Sequence, residues 1–358
     1  MADVFVIAEA GVNHDGDEDR ALALVDAAAA AGADAFKTQT FRPEALATAL
    51  APTAAYQQAA TGAAAQRAML ERLALSSDAH HRLARRCRQR GILFLSTPFD
   101  AASADLLVNE VGVDRLKVSS GDLTNGPLLL HLARTGLPVI LSTGMGTLAE
   151  VAQALAILAF GWTAPADASP GREAFSRAMS SKAGLHALAG RVTLLHCTTA
   201  YPADPADANL AAMSTLGAAF GLPVGYSDHT PGIAVAIAAA ALGAVAVEKH
   251  LTLDRTLPGP DHAASLEPDA FAAMVQGIRI AATAVGHAAK APAAAELANA
   301  AAARRSLVAL RPIAAGEPFS LENVGARRPA GGLSPMLLWD LLGRPAPRAF
   351  APDEMVRP

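Results

Sequence analysis

His229 and His250 each stand two residues beyond another polar group, in Ser227-x-His229 and Glu248-x-His250. Two imidazoles from neighbouring strands, with carboxylates nearby and water completing the shell, suit a divalent metal acting as a Lewis acid. A single such histidine is better explained as a hydrogen-bonded core residue; the pair reverses that preference. Lys37 and Lys117, with Ser119, Ser120, Ser142 and Ser227, offer two fixed positive charges and several hydroxyl donors. That set makes a phosphate or carboxylate site, with a Schiff-base lysine as the competing use. Glu9 is placed to move a proton, or else to form a structural ion pair with Lys37. Cys197 sits between His196 and Thr198 and reads as a core cysteine rather than a nucleophile.

All of these residues fall at the ends of short apolar, β-branched runs. The candidate strands are 4–11, 35–41, 92–99, 115–120, 138–143, 192–198, 223–229 and 244–251. Alanine-rich helical stretches separate them, including 19–31, 77–90, 147–160 and 209–220. Eight strand–helix units in this length are what a (β/α)8 TIM barrel requires, and such barrels carry their sites at the carboxyl ends of the strands. Side chains of period two share a face. Lys37 with Gln39, Lys117 with Ser119, His196 with Thr198, Ser227 with His229 and Glu248 with His250 are therefore expected to converge on one mouth. Asn13 and His14 lie just beyond strand one; Ser96, Thr97 and Thr143 close strands three and five. The turn Gly144-Met145-Gly146 needs no role beyond tightness.

With 358 residues, 52% of them apolar, the chain can bury a large core, although much of that fraction is alanine. The net charge of -4 and the lack of any contiguous basic stripe exclude a nucleic-acid groove. Arg85, Arg86, Arg88 and Arg90 read as a solvated helix face. Two cysteines exclude a disulfide framework, and no signal-peptide pattern opens the chain, so a cytoplasmic location is expected. The stretch 232–247 is too short to span a membrane and reads as a buried helix entering a strand.

Two segments break the alternation. Residues 161–189, with Pro165, Pro170, Gly171 and Gly184, are expected to form an excursion between helix five and strand six. After a barrel over 1–290, residues 291–303 read as a helix or linker. Residues 304–358 carry eight arginines against five acids, and 306–310, 312–316 and 327–332 suggest short strands. A small β-rich module is expected there.

The stretches IAEAGVNHDGD, FKTQTF, FLSTPFD, LKVSSGDL, ILSTGMGT, LLHCTTAYP, GYSDHTPGIAVAIAAAALGA, VEKHLTLDRTLPGPDHAASLEP and ARRPAGG span nearly the whole chain. In that order they resemble the sialic acid (nonulosonate) synthase family. The resemblance implies a (β/α)8 barrel followed by an antifreeze-like SAF domain, in a domain-swapped homodimer whose small domain caps the partner's barrel. It implies condensation of phosphoenolpyruvate with an N-acylated mannosamine-type sugar. The product would be a nine-carbon 2-keto acid, N-acetylneuraminate or N,N'-diacetyllegionaminate, plus phosphate. His229 and His250 would hold a divalent ion, Mn2+ with Mg2+ or Co2+ as substitutes. Lys37, Lys117, Ser120, Ser142 and Ser227 match phosphoenolpyruvate contacts, Glu9 the catalytic carboxylate, and Glu248 the metal side of the pocket. Tyr201 and Asp261 match sugar contacts, and Arg328 an arginine that reaches the neighbouring subunit's site. Asp122 replaces a common Glu, and Thr199 replaces an Asn near the sugar's amide. With the long 161–189 segment, Thr199 points toward a bulkier or less polar sugar substituent. A Schiff-base pyruvate aldolase and a non-catalytic sugar-binding protein are the alternatives.

Overall fold

The computed structural model describes residues 4–53, 58 and 65–357. The chain divides into two compact units, Met1–Gly286 and His287–Pro358. In the first, eight strands form one parallel sheet: β1 (Phe5–Gly11), β2 (Ala35–Thr40), β3 (Leu93–Pro98), β4 (Leu116–Val118), β5 (Val139–Ser142), β6 (Val192–Cys197), β7 (Val224–Asp228) and β8 (Ala246–His250). Their order is β3-β2-β1-β8-β7-β6-β5-β4, and the outer strands β3 and β4 pack side by side, so the sheet curls into a nearly closed barrel. Each expected strand is present, shortened by a residue or so at its ends. β4 loses half its expected length, because Ser119 turns the chain into a 3-10 turn at Ser120–Asp122 by accepting from the Gly121 N–H at 3.2 Å.

Helices return the chain between strands, and local signals start and stop them. Asp17 caps α1 (Glu18–Ala30) by accepting from Arg20 N. After α2 (Gln66–Leu73), Ser76 caps α3 (Ser77–Arg90), which Gly91 ends at φ +75°. α4 (Gly126–Arg134) follows β4, and Thr147 with Glu150 forms a capping box on α5 (Leu148–Thr163). The arginine face of α3 is exposed as expected, and Arg86 and Arg90 also pair with Asp26 of α1 at 2.5 and 2.7 Å.

The segment 161–189 is the expected excursion between helix five and strand six, and most of it is helical. α5 continues to Thr163, residues 164–171 connect it to α6 (Arg172–Ser180), and α7 (Lys182–Arg191) leads into β6. Phe175 of α6 packs edge-on against Phe160 of α5, with centroids 5.2 Å apart. The prolines and Gly171 that suggest a loop mark helix boundaries instead. α8 (Ala212–Phe220), α9 (Ala234–Ala241) and α10 (Pro268–Val285) complete the ring. The stretch 232–247 resolves into α9 and the start of β8, and no described helix is long and apolar enough to cross a membrane.

Outward-facing strand residues such as Val6, Phe36, Leu141, Leu194 and Val247 pack under the helices in the main core. Ile7, Ala35, Leu95, Ile140, Leu195 and Ala246 point inward and form a separate apolar plug. That plug closes the barrel below its carboxyl end.

In the second unit, α11 (Ala294–Ala303) precedes β9 (Ser306–Ala309), which pairs antiparallel with β10 (Val324–Arg327). Leu307, Ile313, Phe319, Val324 and Phe350 form its small core. Two expected strands are corrected. Residues 312–316 contribute a single bridge, Ile313 to Phe350, and the strand near 327–332 lies earlier, at Val324–Arg327. Pro312 and Pro329 lack the N–H that a continuing ladder needs.

Candidate active site

One step above the apolar plug, the same inward positions turn polar. Glu9, Lys37, Thr97, Lys117, Ser142, Cys197, Ser227 and Glu248 lie on the eight strands or immediately beyond them, and Gln39, Ser119, Thr199, His229 and His250 come next. With Ser120, Tyr201 and Asp261 they line one cavity of about 290 Å³. Twelve of the thirteen site residues expected from sequence are brought together here. The thirteenth, Arg328, is exposed just beyond β10 in the second unit.

The register places the charges. Glu9 is paired with Lys37 of β2 and with His250 of β8, and Ser227 with Glu248. A bulge after Glu9 puts Gly11 at φ +54°. A Cβ there would press on Glu9, Asp261 and His250 at 3.3–3.4 Å, so glycine is what lets these groups crowd together.

The floor of the cavity holds two acids and two bases, all buried. Lys37 Nζ lies 2.6 Å from Glu9 and 3.8 Å from Glu248, and Lys117 Nζ lies 3.4 Å from Glu248. Lys37 Nζ also donates to Thr97 Oγ1 at 3.2 Å, and Ser227 Oγ to Glu248 at 3.2 Å. Glu9 thus forms the ion pair with Lys37 that one of the two sequence-based readings expects, and it does so on the cavity wall. Burial lifts the Glu9 carboxyl to about 7, with Lys37 pulling it down and Glu248 pushing it up. Burial also works against a charged Glu248, but Lys117 and Lys37 outweigh it and hold that carboxyl below the usual range. Burial opposes the Lys37 ammonium too, yet Glu248 and Glu9 keep its pKa above the ordinary lysine value. Lys117, with less compensation, is lowered by burial. Glu248 thus stays anionic between two cations, and Glu9 is the carboxylate able to change protonation near neutrality.

The histidines stand higher in the cavity, with ring centroids 5.5 Å apart and Tyr201 at 4.2 Å from His229 and 5.7 Å from His250. His229 Nδ1 donates to the Thr198 carbonyl at 2.7 Å, which leaves Nε2 with a free lone pair. Burial lowers the pKa of both rings, so both are neutral. His250 Nδ1 is buried without a hydrogen bond, and Asp261 is 3.9 Å away. Burial raises the Asp261 carboxyl to about 6, against the pull of His262 and Lys37.

Two neutral imidazoles, one locked in its tautomer by a backbone carbonyl, fit a divalent ion. Among the described residues no group of three or more His, Cys, Asp or Glu side chains is arranged as a ligand set. An ion would therefore need oxygens from substrate or water.

One face assignment is corrected. Leu195, Cys197 and Thr199 are the inward residues of β6 and its extension, while His196 bonds the Ala208 carbonyl at 2.9 Å and Thr198 the Asp207 carbonyl at 2.8 Å. Polarity alone suggested the opposite parity; the run of apolar residues below it decides the matter. Cys197 is buried and lines the cavity, 3.0 Å from Ser120 Oγ, with its thiol pKa raised by burial. Four further polar strand-end residues serve the scaffold. Asn13 bonds the Leu251 carbonyl and Ser265, His14 Nδ1 accepts from Gly16 N, Ser96 bonds Thr40, and Thr143 bonds the Leu195 carbonyl. The glycine turn does more than tighten. A Cβ on Gly144 would collide with Thr199 Oγ1, Cys197 Sγ and Ser120 Oγ, and Gly144 N donates to Ser120 Oγ at 3.0 Å.

Two features escaped the sequence reading. Behind the strands, Lys249 Nζ pairs with Asp228 at 2.7 Å and also bonds the Thr230 carbonyl, fixing the loop that carries His229. The alternation of inward His with outward Asp and Lys was the available signal. At the mouth, Val12, Leu46, Met69, Leu70, Leu73 and Phe99 form an apolar wall, whose helix α2 gave no strand-end signal.

Comparison with known proteins agrees with this geometry. Residues 24–290 match the NeuB family model and residues 304–358 the SAF domain. The chain is 41% identical to the N,N'-diacetyllegionaminic acid synthase of Campylobacter jejuni over 100% of both chains. It is 42% identical to the synthase of the same name from Legionella pneumophila, over 95% of this chain and 89% of that one. The crystal structure of an N-acetylneuraminic acid synthetase from Leptospira borgpetersenii superposes with a TM-score of 0.67 at 34% identity, covering 83% of this chain and 90% of that one. The resemblance read from the motifs is borne out: the chain belongs to the NeuB family of sialic acid synthases and carries a SAF domain after its barrel.

Proposed function

We propose that the protein condenses phosphoenolpyruvate with an open-chain N-acylated mannosamine-type sugar, giving a nine-carbon 2-keto acid and phosphate. The observation that carries this reading is the floor of two buried lysines and two buried carboxylates beneath a pair of neutral histidines. Lys37 and Lys117, with Ser120, Ser142 and Ser227, hold the phosphate and carboxylate of the enolpyruvate before reaction begins. His229 and His250 would hold a divalent ion, most suitably Mn2+, with Mg2+ or Co2+ as substitutes, and such an ion supplies Lewis acidity toward a carbonyl oxygen. Glu248 stays anionic between the lysines and keeps them oriented. Tyr201, Thr199 and Asp261 hold the sugar with its aldehyde toward C3 of the enolpyruvate.

The enolpyruvate double bond supplies the electron pair for the new C–C bond, which leaves C2 cationic in character. Water adds at C2 and gives a proton to Glu9, whose pKa of about 7 suits a base at neutral pH. The C2–O bond to phosphate then breaks. One of the water's two protons ends on the new hydroxyl and the other on phosphate. Arg328, exposed beyond β10, would come from a second copy of the chain to complete the site. Mixing an Arg328→Ala chain with a His229→Ala chain, each inactive alone, should then restore part of the activity; no restoration would remove the cross-subunit role.

Phosphate release from phosphoenolpyruvate that requires both Mn2+ and an amino sugar tests the reading. No release with any such sugar would defeat it. One observation favours a second reading: burial lowers the pKa of Lys117, as an imine-forming lysine needs. Borohydride trapping of a pyruvate adduct on Lys117 would support the aldolase, and chelator-sensitive phosphate release the synthase. Sugar binding without turnover would leave a binding protein.

A further inference from the structure

β7 ends at Asp228, whose register partner on β8 is Lys249, so His229 stands one residue beyond the last ladder pair of its strand. The sheet does not hold it there. Its carbonyl instead accepts from Ala203 N at 2.9 Å, and its Nδ1 donates to the Thr198 carbonyl at 2.7 Å. Both contacts come from the segment after β6, on one side of the residue.

Side chains hold the other side. Asp228 Oδ1 reaches over His229 to accept from Thr230 N at 2.9 Å and from Thr230 Oγ1 at 2.8 Å, which folds residues 228–230 into a turn with His229 at its centre. Asp228 Oδ2 accepts from Lys249 Nζ at 2.7 Å, and the same ammonium donates to the Thr230 carbonyl. All three residues are buried, and neither Asp228 nor Lys249 lines the cavity. Lys249 thereby ties the turn to β8 one residue before His250, at a level where the ladder between the two strands has ceased.

Stability alone does not call for this arrangement. A buried ion pair is commonly no more stabilising than two apolar side chains of similar size, because both charges lose their water. What apolar side chains cannot do is grip a backbone N–H and a carbonyl, and those of Thr230 directly follow His229. Partners that orient a ligating histidine are worth about 10- to 100-fold in metal affinity. Resting on the reading of His229 and His250 as holders of a divalent ion, we infer that Asp228 and Lys249 are positioning residues for that ion. They lock the turn that presents His229 to the cavity beside His250, and so set the affinity of the site for metal from behind the sheet.

The experiment counts free Mn2+ by electron paramagnetic resonance as the ion alone is added to the protein, with neither substrate present, and records the melting temperature of each variant. In Asp228→Leu/Lys249→Met the Mn2+ dissociation constant should rise about tenfold or more. Thr230→Val removes one donor to Asp228 and keeps the ion pair, so it should raise the constant by a smaller factor, about two- to fivefold. Arg279→Met supplies the contrast. It breaks a pair with Asp34, 2.6 Å apart at the amino ends of the strands, and should lower the melting temperature while moving the Mn2+ constant by less than about twofold. Unchanged Mn2+ affinity in both the double variant and Thr230→Val would overturn the inference. So would an equal loss of affinity in Arg279→Met, which would assign the effect to general loosening. Should the double variant fail to fold, Thr230→Val decides alone. No Mn2+ uptake by the unaltered protein would remove the metal reading itself, and this inference with it.

Discussion

β7 and β8 carry two buried ionic clusters, one on each face, and the clusters differ in how completely their atoms are satisfied. On the outer face every charged atom of Asp228 and Lys249, both without solvent exposure, has a partner. Asp228 accepts from Lys249, from Thr230 N at 2.9 Å and from Thr230 Oγ1 at 2.8 Å, and Lys249 also reaches the Thr230 carbonyl. On the inner face Glu248 Oε2, Ser142 Oγ and His250 Nδ1 are buried without hydrogen bonds, and Lys37 and Lys117 lie 3.4–3.8 Å from Glu248. A buried network with every member satisfied fixes structure; one left incomplete keeps capacity for a ligand. One residue along the strand separates the two roles.

Activity and stability should therefore separate between the faces. On the inner face, Glu9→Gln should lower kcat by about 10²- to 10⁴-fold. The folded protein should tolerate it, since a group titrating at about 7 is neutral part of the time already. Its melting temperature and its kcat, measured together, check this; a large loss of stability would erase the contrast. On the outer face, Asp228→Ala strands a buried ammonium and should cost about 3–5 kcal/mol in chemical unfolding. The double variant Asp228→Leu/Lys249→Met should recover most of that. If the double variant is as unstable as the single one, the pair is more than a matched couple.

A smaller effect sharpens the inner face. Gly144→Ala pushes a methyl against Ser120, Cys197 and Thr199 and should cost about 1–3 kcal/mol of overpacking. It should be visible as a raised KM for both substrates, because Ser120 faces phosphoenolpyruvate and Thr199 the sugar.

The smallest effect belongs to the exposed surface. Arg90 and Arg86 hold the Asp26 carboxyl down at about 2, below its ordinary value of 3.8. A depressed pKa contributes stability above the unfolded value and loses it as pH falls through the folded one. Asp26→Asn should cost about 0.5 kcal/mol at pH 6, a figure discounted for solvent screening, and little by pH 2. A constant difference across that range would assign the loss to packing.

Much of this was legible because strand ends in a barrel obey simple rules. Period two and polar strand ends located Glu9, Lys37, Lys117, Ser227, His229, Glu248 and His250 without a structure. The same rule failed at β6, where His196, Cys197 and Thr198 are all polar or polarisable. Leu195, belonging to the plug, was the better guide to parity. Helices α6 and α7 were hidden by prolines that bound helices rather than break them. The apolar wall was illegible because α2 reaches the mouth through tertiary packing, far in sequence from Val12 and Phe99. Asp228 and Lys249 were visible as letters, but a buried outward ion pair cannot be told from two surface charges until the covering helices are placed.

Phosphoenolpyruvate labelled with ¹⁸O at the C2–O–P bridge tests the central claim most directly. The protein is incubated with labelled substrate, Mn2+ and an N-acylated mannosamine-type sugar, and both products are weighed by mass spectrometry. Water attack at C2 followed by C–O cleavage predicts one labelled phosphate for every keto acid formed, and a keto acid that carries the sugar's carbons plus three and no label. Label retained in the keto acid, or phosphate released without a longer carbon chain, would contradict it.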